Sequence, residues 1–357
     1  MKNSETKSYR VVGLMSGTSL DGLDIAYCLF WEENNKWRFK IPVAHTYDYP
    51  QIWKSRLRSA VSMSGQELVQ LNNEYGRYLG ELANTFILDN SLHPDLIASH
   101  GHTVFHQPEA GLTFQIGSGA EITAVTGITV VCDFRSQDVA LGGQGAPLVP
   151  IGDKMLFGEF DFCLNLGGFS NISFEENDVR KAFDICPVNI ALNYLSQKLG
   201  VEFDKDGALA SSGTFCNSLF NALNGLPFYA VEGPKSLGWE WLQAQFLPLL
   251  DDDNSPVKDK LRTTIEHIAY QISLKTNKIS DGKILVTGGG AFNKFLINRI
   301  GDLNNNTLII PEDKIINFKE ALIFAFLGLL RYLNKPNCLA SVTAATTDHS
   351  SGAIYSL

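Results

Sequence analysis

The sequence predicts a two-domain α/β protein, and three observations carry that prediction. Its 357 residues exceed what one ordinary core of about 150 residues requires. Strand-like and helix-like apolar patterns alternate along the chain. A strand, glycine turn, strand pattern appears over residues 11–30 and again over residues 161–176.

The elements follow in order. Residues 9–48 read as strands, from the apolar runs in YRVVGLM, DIAYCLF and WRFKIPVAHTYDY. Residues 50–90 read as helices, because LVQLNNEYGRYLGELANTFILD repeats apolar positions at helical spacing. LIASHGHTV reads as a strand entering a polar turn, GAEITAVTG as a short helix and ITVVCDF as a buried strand. The Gly- and Pro-rich LGGQGAPLVP reads as a linker between domains. The expected domains are therefore 1–138, joined by about 338–357, and 139–337. In the second half, NIALNYLSQKLG and LRTTIEHIAYQISLKT are helical, KILVTGGGAFNKFLINRI is strand, glycine triplet, helix, and FKEALIFAFLGLLRYL is a buried closing helix.

Composition narrows the function classes. Hydrophobic content of 45% and charged content of 19% are those of a soluble globular protein. A net charge of −9 argues against a nucleic-acid or anionic-membrane partner, but not against a nucleotide held by backbone amides and Mg²⁺. The six cysteines form no C-x-x-C pair and read as reduced thiols, which points to the cytoplasm. MKNSETKSYR has no apolar signal region, and the apolar run Ala321 to Leu330 is too short to cross a bilayer.

Three glycine turns each follow an apolar strand: near Gly17, at Gly167-Gly168, and at Gly288-Gly289-Gly290. The first two sit in hairpins and the third opens a helix. The first is richer than a turn needs, since Ser16, Thr18 and Ser19 supply hydroxyls and Gly17 allows close backbone approach. It is neither a Walker A loop, since no lysine lies between Lys7 and Lys36, nor a dinucleotide fingerprint. Alone it reads as a plain hairpin or as a phosphate loop. Three such turns in this order suit two hairpins clamping a polyphosphate and a helix N-terminus meeting the rest of a nucleotide.

Seven stretches then carry a resemblance: GLMSGTSLDGLD (13–24), SHGHTVFHQP (99–108), DFRSQDVALGGQGAPLVP (133–150), NLGGFSNIS (165–173), GPKSLG (233–238), TGGGAFN (287–293) and KEALIFAFL (319–327). Their order resembles the actin, sugar-kinase and heat-shock-ATPase superfamily, and within it the anhydro-N-acetylmuramic acid kinases. The resemblance implies a two-domain actin-like ATPase (ribonuclease H-like) fold with a hinge and an inter-domain cleft. It implies an enzyme of cell-wall recycling that uses ATP, Mg²⁺ and water to open 1,6-anhydro-N-acetylmuramic acid and phosphorylate O6. Family members are often homodimers.

The resemblance also assigns residues. Nucleotide contacts fall on Gly17, Thr18, Ser19, Leu20, Asp21, Gly22 and Asp24, on Gly167, Gly168 and Asn171, and on Gly288, Gly289, Gly290 and Asn293. Asp184 in AFDICPVNIALN matches the Asp of the family's D-T-G-P-x-N segment and takes the role of base toward the attacking water; alone it reads as a helix N-cap. The segment departs from the family at Ile185 and Cys186, where Thr-Gly is usual, at Val188 and at Asn193. Glu320 is a second carboxylate near the substrate, or a surface Glu paired near Lys319. Arg135 suits the lactyl carboxylate, or an ion pair with Asp133 or Asp138. His102 stands where the family has Gln, and Gly143 and Asn189 complete the substrate set. The spacing of His100, His102 and His106 fits no zinc motif. Many superfamily members place an Asp where Met15 stands, which leaves Asp21 or Asp24 for Mg²⁺. The DICP departure keeps two alternatives open: a kinase of another sugar, and a non-catalytic ATP-binding regulator.

Overall fold

Each glycine-turn repeat seeds its own sheet. The computed structural model describes residues 7–17 and 20–357. It divides into two compact units, Met1–Phe157 with Phe318–Leu357, and Gly158–Asn317. The expected Thr18 and Ser19 contacts lie outside the described residues.

In the first unit, β1 (Ser8–Ser16), β2 (Gly22–Glu33) and β3 (Lys36–Asp48) form an antiparallel meander. β4 (Leu96–Ser99) runs parallel to β1, and β7 (Val130–Cys132) parallel to β4. The C-terminal β13 (Ala353–Tyr355) closes the edge, giving the order β13-β7-β4-β1-β2-β3. A separate ribbon pairs β5 (His102–Gln107) with β6 (Leu112–Ile116).

The second unit repeats the plan. β8 (Phe162–Leu166), β9 (Phe169–Glu176) and β10 (Val179–Pro187) form the meander. β11 (Lys283–Thr287) and β12 (Thr307–Ile309) add in parallel, giving the order β10-β9-β8-β11-β12. Leaving out β13, both sheets read third, second, first, fourth, fifth strand. This is the ribonuclease H-like topology that the resemblance implies, present twice.

Each core follows from the patterning. The helix Gly65–Asp89 begins with a capping box, in which the Glu67 carboxylate accepts from the Ser64 N–H at 2.8 Å and Ser64 Oγ accepts from the Glu67 N–H. Its Tyr75, Leu79 and Phe86 cover Val12, Leu14 and Ile25 of the sheet. On that unit's other layer, Phe326 meets Phe30 at 5.3 Å between ring centroids. In the second unit, Ile265, Ile268 and Ile272 of the helix Val257–Thr276 pack with Leu164, Ile172 and Val286. Burying each such side chain contributes about 1.5–3 kcal/mol.

The Gly/Pro segment is not a linker. It lies within the first unit, which runs on to Phe157. Asp138 ties it down, with its carbonyl accepting the Gly143 N–H at 2.8 Å and its carboxylate the Gly145 N–H at 2.7 Å. The unit boundaries thus lie at 157/158 and 317/318, against the expected breaks near 138 and 337. The second coincides with Phe318, whose φ of −118° and ψ of 16° interrupt the helix Asp313–Tyr332.

Candidate functional site

The first unit supplies the turn after β1. Ser16, the last residue of β1, is buried; its hydroxyl accepts from Tyr49 at 2.8 Å and lies 3.3 Å from His102 Nδ1. Tyr49 is pushed up to about 12, chiefly by burial. Burial also pushes His102 down to about 4, so its ring is uncharged at neutral pH. A neutral imidazole offers one donor and one acceptor, as the family's Gln amide does. Past the turn, Asp21 is exposed, and Asp24 accepts from Thr46 Oγ1 at 2.6 Å. Burial raises the Asp24 pKa; the Thr46 bond opposes this and the Asp21 charge adds to it. Leu20 is buried and enters the core, and Gly22 opens β2.

Arg135 forms neither expected ion pair. Its Nε and Nη2 reach His100 Nε2 at 3.0 and 2.8 Å, and its Nη1 donates to the Gly145 carbonyl at 2.6 Å. Asp133 instead accepts from Ser136 Oγ, and Asp138 from Gly145 and Thr343. His100 Nδ1 faces the Gly101 carbonyl at 2.9 Å, which fixes its hydrogen there and leaves Nε2 as the acceptor for Arg135. Burial lowers Arg135 to about 10, which still leaves it charged. Gly143 is buried with its α-carbon against the Asp138 carboxylate.

Glu320 keeps solvent access, yet the protein crowding its carboxylate raises its pKa. The Arg135 charge opposes that shift and the Asp24 charge adds to it. Lys319 is engaged elsewhere, in a buried pair with Asp153 at 2.8 Å. Glu320 therefore senses both the Arg135 and the Asp24 charge.

In the second unit, Asp184 is no N-cap. It lies within β10 at a bulge, and Val188 occupies the N-cap position of the following helix. Thr287, Asn165, Asn171 and Asp184 stand in one row across β11, β8, β9 and β10. Asn165 was not among the expected residues. It sits directly before the Gly167-Gly168 turn, and a Cβ placed on either Gly167 or Gly288 would meet its amide. Only the register reveals that it joins the two turns.

The Asp184 carboxylate accepts the Leu237 N–H at 2.8 Å, and the Asp184 N–H donates to the Lys235 carbonyl at 2.9 Å. Burial raises the Asp184 pKa and the Leu237 bond opposes it. The departing neighbours Ile185 and Cys186 are both buried in the hydrophobic core. Burial pushes Cys186 up to about 12.

The glycine turns differ in openness. Gly288 has φ +80°, and a Cβ there would meet Asn165 Oδ1 at 2.5 Å and the Leu166 carbonyl at 2.8 Å. Gly168 and Gly289 are exposed; a Cβ there would have its nearest atoms at 3.9 Å (Ile190 Cβ) and 3.5 Å (Asn189 Nδ2). Asn189 holds the first turn, Nδ2 donating to Leu166 O at 2.9 Å. Asn293 caps the helix Lys294–Asp302 by accepting the Leu296 N–H at 3.0 Å. Exposed backbone beside a capped helix N-terminus suits a phosphate. A cavity of about 460 Å³ opens beyond the 231–235 segment, lined by Phe174, Phe183 and Lys235 but not by Asp184.

Comparisons with known proteins show the family of the chain. A family model described as anhydro-N-acetylmuramic acid kinase matches residues 9–357. A curated relative of that name from Pseudomonas syringae pv. syringae (strain B728a) is 34% identical, covering 96% of this chain and 98% of its own length. Those from Pseudomonas fluorescens (strain Pf0-1) and Pseudomonas putida (strain KT2440) are 35% and 36% identical, with the same coverage.

Proposed function

The chain belongs to the anhydro-N-acetylmuramic acid kinase family, and from that premise we propose how its residues divide the work. The enzyme is a phosphotransferase acting on anhydro-N-acetylmuramic acid in cell-wall recycling. Asp184 is its base. It takes a proton from water as the water oxygen bonds to the anomeric carbon and the bond from that carbon to O6 breaks. O6 then takes the γ-phosphoryl group of ATP, and ADP leaves. The observation that carries this reading is the half-buried Asp184 carboxylate, raised by burial and steered by the Leu237 N–H, in register with the strands that carry the open glycine turns.

Gly168 and Gly289 supply exposed backbone for the nucleotide, and Asn171 and Asn293 flank it. His102, Arg135, Glu320 and Asn189 contact the sugar, with Arg135 directing its remaining N–H donors to the lactyl carboxylate. Mg²⁺ suits oxygen ligands, and Asp24 and Asp21 are acids whose mutual repulsion a cation relieves. Mg²⁺ usually keeps several waters, so these acids could hold it partly through water. Bound there, it would neutralise phosphate charge. Cys28, Cys132, Cys186, Cys216 and Cys338 form no disulfide, which supports a cytoplasmic site of action. No helix among the described residues is long and apolar enough to cross a membrane.

The alternative of another sugar rested on Ile185 and Cys186. Both are core residues, so the departure alters packing beneath the base rather than the groups around it. The test is mass spectrometry of products formed from ATP, Mg²⁺ and 1,6-anhydro-N-acetylmuramic acid in ¹⁸O water. The expected product is a phosphomonoester with one ¹⁸O at the anomeric position. A product without ¹⁸O overturns the coupled hydrolysis.

A further inference from the structure

The first unit holds a second cluster of chemistry-bearing side chains near its C-terminus. Cys338 and His349 face each other in an antiparallel bridge, with N–H···O distances of 3.1 and 3.3 Å. Asp138, from the short helix Ser136–Ala140, joins them. One ligand atom from each of the three lies within 4.8 Å of the other two, and all three residues are buried.

The bonds already made define what this centre lacks. His349 Nδ1 lies 3.0 Å from the Thr347 carbonyl, which only accepts, so Nδ1 carries a hydrogen. In the neutral ring Nε2 then presents a lone pair. It has no hydrogen-bond partner and sits 3.5 Å from Asp138 Oδ1. Asp138 Oδ1 also accepts from Thr343 Oγ1 at 2.7 Å, and Oδ2 from the Gly145 N–H at 2.7 Å. A buried lone pair facing a buried carboxylate, with a thiol alongside, is costly without a cation between them.

We propose that Asp138, Cys338 and His349 bind a zinc ion as three protein ligands, with a fourth position for water. Nitrogen, sulfur and carboxylate oxygen are the zinc donor set. Bonds of about 2.0–2.3 Å in a tetrahedron place ligand atoms roughly 3.3–3.8 Å apart. The 3.5 Å between Nε2 and Oδ1 already meets that spacing. The outer contacts are those that zinc ligands take: a backbone carbonyl on the other histidine nitrogen, and donors on the carboxylate. Binding displaces the Cys338 thiol proton to solvent. The ion would fasten the C-terminal stretch to the segment that holds Arg135, because Gly145 donates to Asp138 and accepts from Arg135.

The test strips the full-length protein with EDTA, adds Zn²⁺ or Co²⁺ and removes excess metal by desalting. The expected result is about one metal per chain and a thiolate-to-cobalt charge-transfer band, with zinc raising the melting temperature. Cys338→Ser and His349→Gln lower retained metal at least about tenfold, whereas Cys216→Ser leaves it unchanged. Should Cys338→Ser not fold, alkylation of the wild type followed by peptide mapping decides: zinc protects Cys338 but not Cys216. Absence of retained metal, or equal retention in folded Cys338→Ser, overturns the proposal and leaves a proton-bridged pair of His349 and Asp138.

Discussion

Leu237 donates its backbone N–H to the Asp184 carboxylate at 2.8 Å, from a segment whose Lys235 carbonyl accepts the Asp184 N–H in return. Burial drives the carboxylate toward its neutral form, and this one bond restrains it. Asp184, the proposed base, is thus more basic than a surface aspartate and still aimed.

This balance predicts a pH profile. As the proposed base, Asp184 must be ionised, so kcat/KM should rise with pH through a midpoint above the ordinary aspartate value of about 3.9. Leu237→Pro removes the N–H that favours the charged form, and the acid limb should move up by about one pH unit. Rate profiles of the two proteins check this; an unmoved limb in a folded variant assigns the limb to another group.

The glycine turns predict a split between stability and binding. Gly288→Ala places a Cβ against Asn165 and the Leu166 carbonyl at φ +80°, and should cost about 1–3 kcal/mol in denaturant unfolding. Gly289→Ala meets nothing closer than 3.5 Å and should leave stability within about 0.5 kcal/mol. It should raise KM for ATP about tenfold, because the methyl would fill the space we propose for phosphate.

Buried histidines predict acid sensitivity. Burial pushes His267 to about 3, and its ring nitrogens meet Asn224 Oδ1 at 2.8 Å and Tyr229 Oη at 2.9 Å. His102 is pushed to about 4. Each binds a proton more readily unfolded than folded, so stability is full above the ordinary value of about 6.5 and falls as pH drops toward the folded value. The slope is about 1.4 kcal/mol per pH unit for each histidine. His267→Gln should flatten it by one histidine's share, measured by unfolding midpoints across that window.

The carboxylates have the opposite sign. Asp24, Asp184 and Glu320 hold protons more tightly folded than unfolded, so their share of stability falls as pH rises between the two values. Glu320→Gln removes one such charge. Its melting temperature at neutral pH should equal or exceed that of the wild type, while kcat falls at least about tenfold. A lower melting temperature with unchanged kcat makes Glu320 structural.

Much of this was legible in the sequence because strand, glycine turn, strand is a local signal. The first meander, the hairpin over residues 161–176 and the buried run from Ala321 formed where the patterning put them. LGGQGAPLVP misled because glycine and proline punctuate any irregular chain, and long-range contacts such as those of Asp138 and Arg135 distinguish a fastened loop from a linker. Asn165 escaped notice because its importance lies in strand register. The alternative pairing of Arg135 with Asp133 or Asp138 did not form, because folding set its guanidinium on a histidine and a carbonyl. Cys338 and His349 are distant in sequence from Asp138, and no local spacing brings the three together.

The central claim is that Asp184 is the base of the hydrolytic step. Its most direct test is Asp184→Asn under single-turnover conditions, with ATP affinity measured by calorimetry on the same sample. The account predicts unchanged ATP affinity and a fall of about 10²–10⁴-fold in formation of the phosphorylated, ring-opened sugar. Turnover at the wild-type rate would contradict it.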